Sequence, residues 1–123
     1  MLIILTCPTP VAYVFLRNPV TGISTSDVPL LMDTGADVTL LPSGYVDQLG
    51  IEPATDITYE IQGFDGESKL VNMVELELVF LGRNFTGQFL LIEQPMGILG
   101  RNLLNVVSIT FDGPREKWDE HRH

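Results

Sequence analysis

The sequence predicts an all-β fold, and three observations carry that prediction. Eleven glycines and eight prolines punctuate a chain of 123 residues, so that most intervening runs are short. Those runs are rich in Val, Ile, Leu, Phe, Tyr and Thr, the residues that fit a pleated, half-buried surface. Helix signals are few. Many short strands with one or two brief helices indicate a mainly antiparallel barrel or sandwich.

Val11 to Leu16 reads as a first strand, and Val28 to Met32 as a second that ends at an acidic loop. Ser43 is an N-cap candidate for a short helix through Leu49, stopped by Gly50. Ile57 to Gln62 and Lys69 to Val74 flank Gly63-Phe64-Asp65-Gly66, a hairpin pattern with glycine available for positive φ. Glu75, Glu77 and Val79 alternate with Leu76, Leu78 and Phe80, a period of two that predicts a strand with one buried face. Phe85 to Ile92 reads as its partner across Leu81-Gly82-Arg83-Asn84. A second short helix is expected from Arg101 to about Asn105, then a last strand from Ser108 to Phe111. The chain reads as a single domain over residues 1–123, with its core at about 11–112 and a charged tail over 113–123.

Composition excludes several classes of function. Acidic residues outnumber basic ones sixteen to seven, for a net charge of -9. Recognition of nucleic acid needs clustered Lys and Arg, so no nucleic-acid partner is expected. No apolar stretch approaches the roughly 20 residues of a membrane span, and Met1 to Leu5 lacks a basic flank and is interrupted by Pro8 and Pro10, so neither membrane nor export is expected. Cys7 is the only cysteine, which rules out an intramolecular disulfide and a cysteine-based zinc site. A reducing, cytoplasmic compartment follows as the expectation, and Asn84-Phe85-Thr86 is then a spacing coincidence rather than a glycosylation site. His121 and His123, at the chain end, are expected to be solvated rather than to hold a metal.

The chemistry is concentrated in Leu30-Leu31-Met32-Asp33-Thr34-Gly35-Ala36-Asp37-Val38-Thr39-Leu40-Leu41. An acid at the end of an apolar strand costs free energy unless it is paired or put to use. Asp33 or Asp37 could equally accept backbone N–H bonds and shape a turn. The triplet Asp-Thr-Gly alone does not separate the two readings.

With apolar strands on both sides, Asp33-Thr34-Gly35-Ala36-Asp37 resembles the active-site loop of the retropepsin-like (retroviral-type, single-lobe) aspartic proteases. Gly97-Ile98-Leu99-Gly100-Arg101-Asn102-Leu103-Leu104 resembles that family's second element, and Arg101 follows Asp33 by 68 positions (101 − 33), roughly the family's separation. The Gly63 to Gly66 hairpin stands between them, where such proteins carry a flap. The resemblance covers about Val28 to Phe111 and implies a closed β-barrel with a flap hairpin and one or two short helices.

It also implies an activity, hydrolysis of peptide bonds by an aspartic endopeptidase. One carboxylate deprotonates a water while another protonates the carbonyl oxygen, and two carboxylates about 3 Å apart share a proton. The chain has one such triplet, so the resemblance implies a homodimer with an Asp33 from each copy at the symmetry axis. Such hydrolysis of extended peptides calls for no cofactor and no metal. By resemblance Thr34 bonds across the axis, and Gly35 lets a substrate backbone approach closely. Asp37 forms a buried bidentate pair with Arg101, whose loss would cost roughly 3–5 kcal/mol. Ala36, Asp37, Val38, Gly63, Phe64 and Ile98 contact substrate, with Ile61 a further candidate, and the segment Val107 to Phe111 interleaves with a partner's chain ends. Asp65 departs from the family's uncharged flap tips, and an acidic tail follows the last strand. These two features keep an alternative in view, a retropepsin-fold dimer that binds or scaffolds peptides without turnover.

Overall fold

In a computed structural model the described residues are 10–51, 54–62, 68–112, 115 and 117–121. Cys7, the Gly63-Phe64-Asp65-Gly66 tip, Arg122 and His123 lie outside them. The elements are β1 (Val11–Arg17), β2 (Ser24–Met32), β3 (Leu40–Pro42), α1 (Ser43–Asp47), β4 (Ala54–Gln62), β5 (Ser68–Phe80), β6 (Arg83–Ile92), β7 (Gly97–Leu99), α2 (Arg101–Leu104), β8 (Ile109–Asp112) and β9 (Lys117–Glu120).

Seven strands form one sheet in the order β1-β2-β7-β3-β6-β5-β4, and a further pairing of β1 with β5 closes six of them into a barrel. β4 stays outside the ring as the hairpin partner of β5. Closure depends on a bulge. β1 pairs with β2 from Val11↔Leu31 to Val14↔Val28, then shifts register before Leu16↔Thr25. Asp27 on the bulged strand has φ of 57°, and the extra residue bends the ladder. Phe15, Leu16 and Arg17 then reach Val79, Leu78 and Glu77 of β5. Arg17 and Glu77 join across that seam at 3.3 Å.

The period-two expectation for 75–80 is met, with Leu76, Leu78 and Phe80 buried and Glu75 exposed. The strand is longer than the two segments read from the sequence, which are halves of one β5. Its alternation slips between Met73 and Val74, both of which are buried. Val74, Leu76, Leu78 and Phe80 belong to the main core with Leu16, Leu30, Leu41, Leu49 and Leu99. Leu40, Val71 and Met73 are equally buried but stand outside that cluster. β5 therefore carries apolar side chains on both faces over part of its length, which breaks a simple alternation.

The turn between β5 and β6 is also tighter than expected. Phe80 pairs with Arg83, leaving Leu81 and Gly82 as a two-residue loop with φ of 52° and 73°. Positive φ at both positions is the type I′ pattern, whose twist matches that of the flanking strands. Leu81 tolerates it because its side chain packs against the core.

Ser43 is not the cap of α1. β3 runs into the helix without a break, so extended Pro42 takes the cap position and no side-chain cap bond forms. Ser43 is the first helical residue. The helix ends at Asp47, two residues early, in shortened turns from Leu49 N–H to the Val46 carbonyl and from Gly50 N–H to that of Asp47. Gly50, at φ of 68°, then ends it as expected. Buried Asn18 fixes the loop above: its Nδ2 donates to the Leu49 carbonyl at 3.0 Å, and its Oδ1 accepts from Val20 and Thr21 N–H. α2 agrees with expectation to within one residue, and β8 begins one residue later than read. The tail is not simply charged and solvated, since β9 forms within it and pairs with β8. No helix among the described residues is long and apolar enough to cross a membrane.

Gly82 and Gly87 separate backbone strain from packing, because a Cβ would meet nothing within 4 Å at either, and only Gly82 has positive φ. Gly82→Ala is expected to destabilise the fold by about 1–2 kcal/mol. Gly87→Ala is expected to be neutral or to stabilise by up to about 1 kcal/mol. Urea unfolding of the two variants beside wild type measures both.

Candidate active site

Asp33 stands at the end of β2, where the sheet geometry is unusual. β7 is parallel to β2 through Leu30↔Gly97, Leu31↔Ile98 and Met32↔Leu99, and antiparallel to β3 through Leu40↔Ile98. The loop from Asp33 to Thr39 therefore passes over the end of the strand that separates its own two flanks. Glycine is required at both ends of β7. A Cβ on Gly97 would collide with the Leu40 carbonyl and the Leu30 and Pro42 side chains, and one on Gly100 would collide with the Val38 backbone.

The loop is pinned from several directions. Asp33 N–H donates to the Leu99 carbonyl at 3.0 Å, Ala36 N–H to that of Asp33 at 3.1 Å, and Arg101 N–H to that of Ala36 at 2.8 Å. Asp33 Oδ1 accepts the Gly35 N–H at 2.8 Å, so the carboxylate also shapes its own turn. The two sequence readings of this acid are compatible. Asp33 is half-buried, and Thr34 and Gly35 are exposed beside it. A Cβ on Gly35 would lie 3.2 Å from Asp33 Oδ1, so a side chain there would crowd the carboxylate.

Thr39 is the residue that sequence reasoning missed. It is 1% exposed. Its hydroxyl donates to Asn102 Oδ1 at 2.8 Å and accepts the Gly100 N–H at 3.1 Å. One side chain thus ties the Asp33 loop to the Gly-Arg-Asn turn. A Thr at the foot of the loop, opposite a Gly-x-Asn, was the available signal.

Asp37 and Arg101 form an ion pair, but not the buried one expected. Their side chains are 78% and 48% exposed in the single chain. Exposed pairs contribute about 0–1 kcal/mol, so the expectation of 3–5 kcal/mol is withdrawn for the isolated subunit. The pair faces outward because α2 begins at the barrel surface, with Arg101 and Asn102 exposed and Leu103 turned into the core.

A second apolar layer runs beside the loop. Paired residues share a face of a sheet, and the pairings Leu31↔Ile98, Ile98↔Leu40, Leu40↔Leu90 and Leu90↔Met73 form one lateral row. This row lies on the face opposite the core and leads from the strand of Asp33 toward the β4–β5 hairpin. Leu31, Ile98 and Leu90 are half-buried, and Val38 is exposed, so none of these four is plain core. Ile61 pairs with Lys69 near the end of that hairpin, which closes through Gln62↔Ser68. Gly63 and Phe64, expected to contact substrate, lie outside the described residues.

The aspartyl protease family model matches residues 20–103, and the chain belongs to that family. Its fold is retropepsin-like, a closed six-stranded barrel. Among solved structures, the EIAV protease complexed with the inhibitor HBY-793 superposes with a TM-score of 0.61 at 23% identity, over 80% of this chain and 88% of that one. No curated protein matches in sequence.

Thr39 and Arg101 rank differently here than their sequence prominence suggests. Thr39→Val leaves a buried N–H without an acceptor and is expected to cost about 1–3 kcal/mol. Arg101→Met is expected to cost less than about 1 kcal/mol in the monomer. Denaturant unfolding at high dilution tests this order, and a larger loss for Arg101→Met would reverse it.

Proposed function

We propose that the chain is a homodimeric aspartic endopeptidase in which Asp33 of each copy forms a catalytic dyad. The observation that carries this reading is the half-buried Asp33 carboxylate, held by the Gly35 N–H on a loop pinned to β7 and α2. The chain supplies one such acid, and general acid–base hydrolysis needs two. A second copy related by two-fold symmetry brings the other. Two such carboxylates share one proton and hold a water between them. The ionised one takes a proton as the water oxygen adds to the peptide carbonyl carbon, and the protonated one gives its proton to the carbonyl oxygen. The C–N bond then breaks as the first carboxyl passes its proton to the amide nitrogen and the second takes one from a hydroxyl of the tetrahedral diol, which releases an acid and an amine and restores the shared proton.

Gly35 leaves room for a substrate backbone beside the reacting acid, and Thr34 contacts its counterpart across the axis. The substrates are extended peptides with apolar side chains near the cut, because the row from Leu31 through Ile98 to Leu90 lies beside Asp33. The same reading has Ala36, Asp37, Val38, Gly63 and Phe64 along the substrate path. It invokes no cofactor, no nucleic acid and no membrane, and keeps the cytoplasm as the compartment.

The decisive experiment is digestion of a peptide library by wild type and Asp33→Asn at acidic and neutral pH. Wild type is expected to cut at apolar sites, and Asp33→Asn is expected to lose at least on the order of 10²–10⁴-fold in rate. Excess Asp33→Asn subunit should also suppress the wild-type rate, because mixed dimers carry one competent acid. Equal cutting by both proteins sinks the catalytic assignment. Specific peptide binding without cuts transfers the assignment to a binding module.

Association should respond to salt in a defined direction. Two chains of net charge -9 repel, and salt screens that repulsion. Sedimentation equilibrium is therefore expected to show tighter dimers as ionic strength rises, and weakening would assign the interface to opposite-charge pairs.

A further inference from the structure

The seam that closes the barrel is shorter than the strands that form it. Among the described residues β1 pairs with β5 only through Phe15↔Val79, Leu16↔Leu78 and Arg17↔Glu77, so the first half of β1 has no neighbour on that side. β5 itself turns into β6 directly after Phe80. Hydrogen bonding on the other side of β1 shows which group this leaves bare. Met32 N–H donates to the Pro10 carbonyl at 2.9 Å, which makes Pro10 and Met32 a hydrogen-bonded pair. Val11↔Leu31 is then a non-hydrogen-bonded pair, and the Val11 carbonyl points away from β2 into the gap.

Trp118 fills that gap. Its Nε1 donates to the Val11 carbonyl at 2.9 Å, and its ring lies 6.0 Å from that of Phe80, tilted by 45°. One side chain thus joins the start of β1 to the end of β5 where their ladder has run out. The hairpin that carries it is itself anchored, since β9 pairs with β8 and Val107, Ile109 and Trp118 all pack against the core. Trp118 and Val11 both lie outside residues 20–103, the segment that the family model matches.

The gap adjoins the acid. Met32 immediately precedes Asp33, and on its far side β2 is held by β7 through Met32↔Leu99. The end of β2 is therefore clamped between buried Leu99 and the first residues of β1. A strand end with one neighbour opens locally at low free energy. The indole opposes that opening with a hydrogen bond and a ring contact.

We propose that Trp118 is a positioning residue for Asp33. It keeps Pro10 and Val11 in register with Met32 and Leu31, and through them holds the strand end on which the carboxylate stands. The tail is then part of the working unit. This inference rests on the proposed catalytic role of Asp33.

The test compares the full-length wild type with Trp118→Phe, which removes the indole N–H and keeps an aromatic ring beside Phe80. Benzothienylalanine at position 118, with sulfur in place of the N–H in a ring of nearly the same shape, repeats the deletion without loss of packing. Asp119→Ala, at an exposed position of the same strand, is the control. Amide hydrogen exchange is read at Met32, with Leu76 and Leu78 reporting the stability of the barrel. Both changes at position 118 are expected to lower protection of Met32 by about tenfold, with Leu76 and Leu78 unchanged and the control like wild type. Peptide hydrolysis, measured where sedimentation shows equal dimer, is expected to lose roughly 10–10²-fold in kcat at unchanged KM. Unchanged protection of Met32, or an equal loss at Leu76 and Leu78, overturns the positioning role and leaves Asp33 as the acid. A local loss with kcat unchanged overturns it as well. A local loss in a protein whose wild type cuts no peptide removes the catalytic reading, and the role of Trp118 in it.

Discussion

The strand Gly97–Leu99 lies between the two strands that lead into and out of the Asp33 loop, and the geometry of the site depends on that placement. A chain crossing over its own neighbour needs close backbone approach, and Gly97 in β7 and Gly100 just after it sit where a side chain would strike backbone. Parallel pairing with β2 ends at Leu99, whose carbonyl accepts the Asp33 N–H. The Asp33 main chain is thus held by a bond to a buried strand, while its carboxylate accepts the Gly35 N–H of the loop itself. A loop anchored this way keeps its acid in one orientation, as pre-organised chemistry requires.

Thr39 extends the same constraint to α2. Its hydroxyl is satisfied on both sides, by Asn102 as acceptor and by Gly100 N–H as donor, in a position closed to water. Buried polar groups that are fully partnered rigidify a site, and partly partnered ones destabilise it. The exposed Asp37–Arg101 pair adds little to the lone chain by comparison. Rigidity of the loop therefore comes from a neutral hydroxyl at its foot more than from the charged pair at its rim.

Much of this was legible in the sequence because it is local. An apolar strand running into Asp33, the Gly-x-x-Gly-Arg-Asn turn and the alternation from Glu75 to Phe80 each write their geometry into adjacent residues. Long-range features were harder to read. The length of β5 was hidden because Met73 and Val74 are both buried, on opposite faces, where the core gives way to the second apolar layer. Leu40, Leu90 and Met73 join that layer only through lateral pairing of strands far apart in sequence. Ser43 looked like a cap because nothing local says that β3 reaches it without a gap. The exposure of Arg101 is likewise set by where α2 meets the surface, and no spacing of residues encodes that.

The tail shows how one apolar residue can outweigh its neighbours. Charges surround Trp118, and by composition the segment belongs in water. Burying an indole against Phe80 and giving its N–H the Val11 carbonyl offsets the ordering of a short strand, whose charged residues then lie along an edge where they discourage pairing. The same strand holds the hairpin at the end of the barrel where Asp33 lies.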